Sequence, residues 1–182
     1  MRSQRHAETP DPVEAGAPHH PARRERRPDV NSHRLAVTVA AGAIVVDQVT
    51  KIWAVVALDD GPIRLIGDVI RLRLTRNSGA AFSSFQGFGP IIGVAAVGVV
   101  GLILWMLNRP LRRVEIVGLG LVLGGAIGNL LDRMFRGDGF LDGPVVDWID
   151  PSFFPAFNGA DSAITIGVVL LLLGALRPIG DD

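Results

Sequence analysis

The chain has 182 residues, with 18 basic and 18 acidic side chains, a formal net charge of +0, and 48% hydrophobic residues. Its mean hydropathy of +0.36 is high for a soluble domain, and there is no basic excess of the kind that drives phosphate binding, which argues against a nucleic-acid-binding module. The absence of cysteine excludes disulfides, thiol nucleophiles, zinc–sulfur sites and iron–sulfur clusters.

Residues 1–34 carry five of the twelve prolines and the basic cluster Arg23, Arg24, Arg26 and Arg27. Such a segment buries too little apolar area to offset its ordering entropy, so a disordered cytoplasmic tail is expected there. All four histidines (His6, His19, His20 and His33) fall inside it. The remainder, a membrane domain expected over 35–178, therefore has no histidine for catalysis or metal ligation. No metal and no cofactor are expected, and the chemistry must come from Asp, Asn, Arg, Ser and the single lysine, Lys51.

Four apolar spans follow, at Leu35–Leu58, Pro90–Leu107, Val114–Leu131 and Ala160–Leu176. Each is long enough, at about 1.5 Å per residue, to cross about 30 Å of hydrocarbon, some only just. Between the first two, Ile70-Arg71-Leu72-Arg73-Leu74 alternates with period two, which predicts a strand with one apolar and one basic face lying on the membrane surface. The expected fold is an all-α membrane protein of four transmembrane helices with a small extracytoplasmic β-strand element and an outer loop. Gly120, Gly124 and Gly128 leave one side of the third helix bare, a spacing that permits close helix packing.

Arg34 and the tail arginines precede the first span, Arg109, Arg112 and Arg113 fill the short loop between the second and third, and Arg177 follows the fourth. This bias puts both termini in the cytoplasm, against the opposing weight of Arg64, Arg71, Arg73 and Arg76. With that orientation the unusual polar groups collect in one leaflet. Asp47 lies about 18 Å along the first helix, with Lys51 one turn further on the same face. Asn129, Asp132 and Arg133 end the third helix, and Asn158 and Asp161 open the fourth. Asp147 stands in the apolar run Pro144-Val145-Val146-Asp147-Trp148, where partial desolvation raises a carboxyl pKa. Taken singly, most of these have plainer readings. Asp47–Lys51 fits a structural ion pair, Asn158 with Asp161 fits a helix cap, Asp132–Arg133 fits a helix end among headgroups, and Asp138, Asp142 and Asp150 look like solvated loop acids.

Two carboxyls sharing one site cannot both ionise easily. Asp147 and Asp161 can therefore act as an acid and a base on water and a peptide carbonyl, without metal or covalent intermediate.

The motifs Asp47-Gln48-Val49-Thr50-Lys51, Arg76-Asn77-Ser78-Gly79-Ala80-Ala81-Phe82-Ser83, Gly124-Gly125-Ala126-Ile127-Gly128-Asn129-Leu130-Leu131-Asp132-Arg133, Val145-Val146-Asp147-Trp148 and Phe157-Asn158-Gly159-Ala160-Asp161-Ser162 occur in this order. Together they resemble the bacterial lipoprotein signal peptidase (signal peptidase II) family over about residues 35–176. The resemblance implies an inner-membrane aspartic endopeptidase that removes the signal peptide from diacylglyceryl-modified prolipoproteins, just before the lipidated cysteine. It implies Asp147 and Asp161 as the catalytic pair at the extracytoplasmic face, and Asp47, Lys51, Asn77, Gly125, Asn129, Arg133, Asn158 and Ala160 as residues that bind substrate or support the site. Membrane lipids, a monomeric state and inhibition by globomycin-type cyclic peptides are further expectations. Trp148 departs from the phenylalanine common at its place in the family. Three other readings stay open from residues alone: a transporter, an assembly protein, and a serine–lysine peptidase using Lys51 with Ser78, Ser83, Ser84 or Ser162.

Overall fold

The computed structural model describes residues 30–79 and 89–176. Four helices, α1 (Val30–Ala57), α2 (Gly89–Met106), α3 (Arg113–Phe135) and α4 (Gly159–Ala175), form a bundle capped at one end by three strands, β1 (Ile63–Ile66), β2 (Ile70–Asn77) and β3 (Val145–Pro151). Helix α1 starts at Val30, five residues before the expected Leu35, because the polar turn Asn31–Arg34 continues the helix beyond its apolar stretch. The rest of the expected tail, 1–29, lies outside the described residues, as do Ala80–Ser83 of the second motif and Ser84.

Among the described residues three helices are long and apolar enough to cross a membrane, and α4, with 17 residues, is a shorter apolar helix of about 25 Å. Their outer surfaces are apolar: Val45, Val49, Ile52 and Val56 of α1, Ile91 and Leu102 of α2, and Leu172 and Leu173 of α4 are all exposed. A helix with this much apolar surface turned outward has lipid as its solvent.

Helix α3 is central, packing against α1, α2 and α4. Two glycine positions explain how closely. A Cβ on Gly124 would come within 2.6 Å of the Ala40 carbonyl oxygen of α1, and one on Gly125 would strike the Ala160 carbonyl oxygen of α4. Adjacent residues of α3 thus face different neighbours, and neither tolerates a side chain. Away from the sheet the bundle is filled by Ala36, Ala40, Ile103, Leu107, Ile116, Leu119, Val122 and Leu123. At the sheet end buried polar and charged residues, Asp47, Lys51, Asp132, Arg133, Asp147, Asp150 and Asn158, lie among buried apolar ones such as Val145, Val146 and Ala160.

The sheet is antiparallel with strand order β1-β2-β3. The alternation of Ile70–Leu74 marks β2 correctly, but β1 and β3 carry no comparable pattern. Leu72 pairs with Ile149 and Thr75 pairs with Asp147, so β2 holds one extra residue between these pairs. This bulge has a chemical consequence. Strict alternation from Leu72 would place Leu74 and Arg76 on the face of Asp147; the extra residue places Thr75 and Asn77 there instead.

Candidate active site

Asp147 sits on β3 with 3% of its surface exposed. Asn77 Nδ2 donates to its Oδ2 at 3.2 Å and Asn158 Nδ2 to its Oδ1 at 2.7 Å. The Asn77 amide is oriented by the Gly79 N–H, which donates to its Oδ1 at 3.1 Å. Burial, first, and the neighbouring Asp161, second, push the Asp147 carboxyl up to about 6, against the two amides and the charge of Lys51.

Asp161 lies in the first turn of α4, and the cap reading of Asn158 is correct as far as it goes. Asn158 Oδ1 accepts the Asp161 N–H at 2.9 Å, and Asp161 Oδ2 accepts the Asn158 N–H at 3.3 Å. The same two side chains also do more. Asp161 Oδ1 accepts from Asn129 Nδ2 at 2.8 Å, and Asn158 Nδ2 reaches Asn129 Oδ1 at 3.1 Å as well as Asp147. The two acids are therefore joined through Asn158 and Asn129. Both line one cavity of about 660 Å³, together with Asn77, Phe154, Phe157 and Thr165.

A buried ionic layer holds this arrangement from below. Lys51 Nζ contacts Asp47 Oδ2 at 2.8 Å, Asp132 Oδ2 at 2.8 Å and Asn129 Oδ1 at 2.9 Å, with the Lys51, Asp47 and Asp132 side chains all fully buried. Asp47 Oδ1 accepts the Ala160 N–H at 2.8 Å, which ties α1 to the first turn of α4. So Asp47–Lys51 is a structural ion pair and a support for the site at once. With three acceptors on its ammonium, Lys51 touches no serine among the described residues; Ser162 Oγ donates instead to the Asn158 carbonyl. That geometry disfavours the serine–lysine reading.

Two acids read from the sequence as peripheral are not. Asp132 does not end α3 among headgroups: it is 1% exposed, accepts the Val146 N–H at 3.2 Å beside Asp147, and binds Arg136 at 2.7 Å. The signal available in the sequence was the lone lysine, since a buried ammonium has three protons to satisfy. Asp150 is no solvated loop acid either. It is 5% exposed and binds Arg71 at 2.9 Å and Arg73 at 2.8 Å, on the sheet face opposite Asp147. Those hydrogen bonds, above all to Arg73, hold its carboxyl below the usual range. Both arginines of the basic face are thus paired to Asp150, and the Arg73 side chain keeps about half of its surface exposed. Asp138 and Asp142 are exposed as expected.

Of the supporting residues, Asp47, Lys51, Asn77, Asn129, Asn158 and Ala160 form one connected hydrogen-bond network, and Gly125 admits Ala160. Arg133 is 4% exposed, with Nη1 buried and unpaired; its charge bears on Asp147 without a hydrogen bond. Asn129 has both ends of its amide engaged inside the protein, so its evident work is to orient Asp161 and Asn158 rather than to reach outward.

Residues 39–177 match the family model described as signal peptidase (SPase) II. The chain is 44% identical over 175 residues to a lipoprotein signal peptidase of Mycolicibacterium smegmatis, covering 96% of this chain and 70% of that protein. It is likewise 44% identical over 160 residues to a lipoprotein signal peptidase of Rhodococcus jostii, covering 86% and 80%. Two solved structures of a bacterial membrane enzyme share the fold with TM-score 0.69, at 25% and 26% identity, covering 81% and 84% of this chain and 93% and 97% of theirs. The chain belongs to the signal peptidase II family, membrane-embedded proteases of the aspartic type.

Proposed function

We propose that the protein removes the signal peptide from diacylglyceryl-modified prolipoproteins, cutting just before the lipidated cysteine with water activated by Asp147 and Asp161. The observation that carries this reading is the pair of acids on one cavity, linked through Asn158, at the polar end of an apolar bundle. Asp161 stands at the positive end of α4, where it accepts the Asn158 N–H, and serves as the base. Asp147, pushed up to about 6, serves as the acid. Water loses a proton to Asp161 as its oxygen attacks the scissile carbonyl, and Asp147 passes its proton to the carbonyl oxygen. Collapse of the tetrahedral diol returns a proton to Asp147, and Asp161 gives its own to the departing nitrogen. Asn77 and the rest of the cavity wall hold the extended peptide, with the Arg133 charge behind them.

The arginine bias places both termini in the cytoplasm and the sheet end at the extracytoplasmic face of the inner membrane, at the depth of the two acyl chains of the substrate. The enzyme acts as a monomer, and a globomycin-type cyclic peptide blocks the cavity. The test is cleavage of a purified lipidated prolipoprotein in detergent. Asp147→Asn and Asp161→Asn each abolish cleavage, whereas survival of either variant with unchanged rate removes the acid pair from the mechanism.

A further inference from the structure

Thr75 is the residue of β2 directly opposite Asp147, and opposed residues of an antiparallel pair share a face of the sheet. Its hydroxyl oxygen is buried and has no hydrogen-bond partner. An unpaired buried hydroxyl costs about 1–3 kcal/mol. The bulge in β2 is what brings it there, in the place strict alternation would give to Leu74.

The partners Asp147 already has define what it lacks. Asn77 Oδ1 is occupied by the Gly79 N–H and Asn158 Oδ1 by the Asp161 N–H. Neither amide can turn its oxygen to Asp147 without breaking a backbone bond, so both present N–H groups only. Two donors suit a carboxylate. They leave the O–H of a neutral carboxyl without an acceptor. A hydroxyl accepts from the neutral acid and, once the proton has gone, donates to the carboxylate; among the side chains sharing the Asp147 face, Thr75 carries one that is unused.

We propose that Thr75 is a positioning residue for Asp147: its hydroxyl, unpaired in this structure, turns to accept the O–H of the neutral acid and donates to the carboxylate after the proton passes to the scissile carbonyl. The inference rests on Asp147 as the acid. The charged groups around Asp147 are Asp161 on α4, Lys51 on α1 and Arg133 on α3, with Asp47 and Asp132 paired to Lys51 behind them. Removing the Thr75 hydroxyl alters none of these. It deprives the neutral acid of an acceptor that neither amide supplies, but the carboxylate of only one donor in three, so the neutral form suffers more.

The test is kcat and KM for a lipidated prolipoprotein, from about pH 5 to pH 9, in full-length wild type, Thr75→Val, Thr75→Ser and Asp147→Asn. Loss of one hydrogen bond to a reacting acid predicts kcat about five- to tenfold lower in Thr75→Val, with KM near wild type. The alkaline limb of its profile moves down by about 0.5–1 pH unit, and Thr75→Ser restores both. A wild-type profile and rate in Thr75→Val overturn the proposal, as does a Thr75→Ser variant no better than Thr75→Val, since the methyl group rather than the hydroxyl then matters. Should Thr75→Val not accumulate, Thr75→Ser against Thr75→Ala decides on the same criteria. Cleavage by Asp147→Asn overturns the acid-pair reading itself; an inert Asp147→Asn beside an unaltered Thr75→Val overturns this inference alone.

Discussion

Asn158 donates to Asp147 at 2.7 Å with the same amide whose oxygen caps the Asp161 N–H at 2.9 Å. One side chain thus fixes the start of α4 and the separation of the two acids. Folding and site geometry are tied together here, yet the two functions can be separated by substitution.

Serine caps a helix about as well as asparagine but has no second amide proton to offer Asp147. Asn158→Ser is expected to keep the melting temperature in detergent within a few degrees of wild type. Cleavage falls about ten- to a hundredfold, the worth of one hydrogen bond to a charged group. Asn158→Ala loses the cap as well, about 1 kcal/mol of stability. Thermal melts and kcat/KM on the same preparations check both, and a Ser variant that cleaves at full rate would show that Asn158 serves the fold alone.

Lys51 neutralises Asp47 and Asp132 in a layer where all three side chains are fully buried. Removing the ammonium leaves the Asp47 carboxylate uncompensated and Asp132 with Arg136 alone, and breaking a buried pair in this way costs about 3–5 kcal/mol. Lys51→Met is therefore expected to melt far below wild type or to fail to accumulate. Lys51→Arg is not expected to rescue it, since a planar fork does not match a compact site for one ammonium. Expression level and melting temperature give the answer; a stable Lys51→Met protein would mean that this layer is neutral in the folded state.

The order of motifs made the bundle and most of the site readable from sequence, because membrane spans and intramembrane charges are strong local signals. What escaped was non-local. Val145–Pro151 pairs with the strand Ile70–Asn77 far earlier in the chain, and no local pattern announces that. Nor does anything in Leu72–Thr75 announce a bulge, although the bulge decides that Asn77 and not Arg76 faces Asp147. Asp132 reads as peripheral because it stands with Arg133 at a helix end, and Asp150 because proline follows it. Their partners, Lys51 and the Arg71–Arg73 pair, come from distant elements.

Asp147 carries a pH signature with a definite sign. Its folded-state value, about 6, lies above the ordinary 3.8. The stability it contributes is then full below about 3.8 and is lost as pH rises through about 6, on the order of 3 kcal/mol in all. Between pH 5 and pH 8 the wild-type melting temperature should fall. Asp147→Asn, which cannot ionise, should fall less and be the more stable protein at pH 8 despite its lost activity. Parallel slopes for the two proteins would show that Asp147 does not titrate in that window.

Gly125 and Gly98 offer a matched comparison of two glycines in apolar helices. A Cβ on Gly125 would strike the Ala160 carbonyl oxygen and Ile164, whereas one on Gly98 meets nothing within 4 Å. Gly125→Ala forces α4 outward and with it Asp161, at a cost of about 1–3 kcal/mol for overpacking. Stability and cleavage should fall together. Gly98→Ala should leave both near wild type. A well-folded, fully active Gly125→Ala protein would show that α3 and α4 can separate without moving the acid.

Asp150 tests whether the sheet matters to the chemistry from its far side. It ties Arg71 and Arg73 together where β2 approaches its bulge. Its carboxyl is held below the usual range, so its stabilising contribution is present above the unfolded value, near 3.8, and is lost as pH falls below that. Asp150→Asn removes the charge from the clamp and frees the register that selects Asn77 over Arg76 beside Asp147. The expected result is lower kcat with the alkaline limb moved to lower pH, because a register that brings Arg76 in place of Asn77 sets a cation beside Asp147 and favours its ionised form. Charge-reversed Asp150→Lys, which repels both arginines, should be the worse of the two. Cleavage rates equal to wild type in both variants would mean that backbone pairing alone holds the bulge.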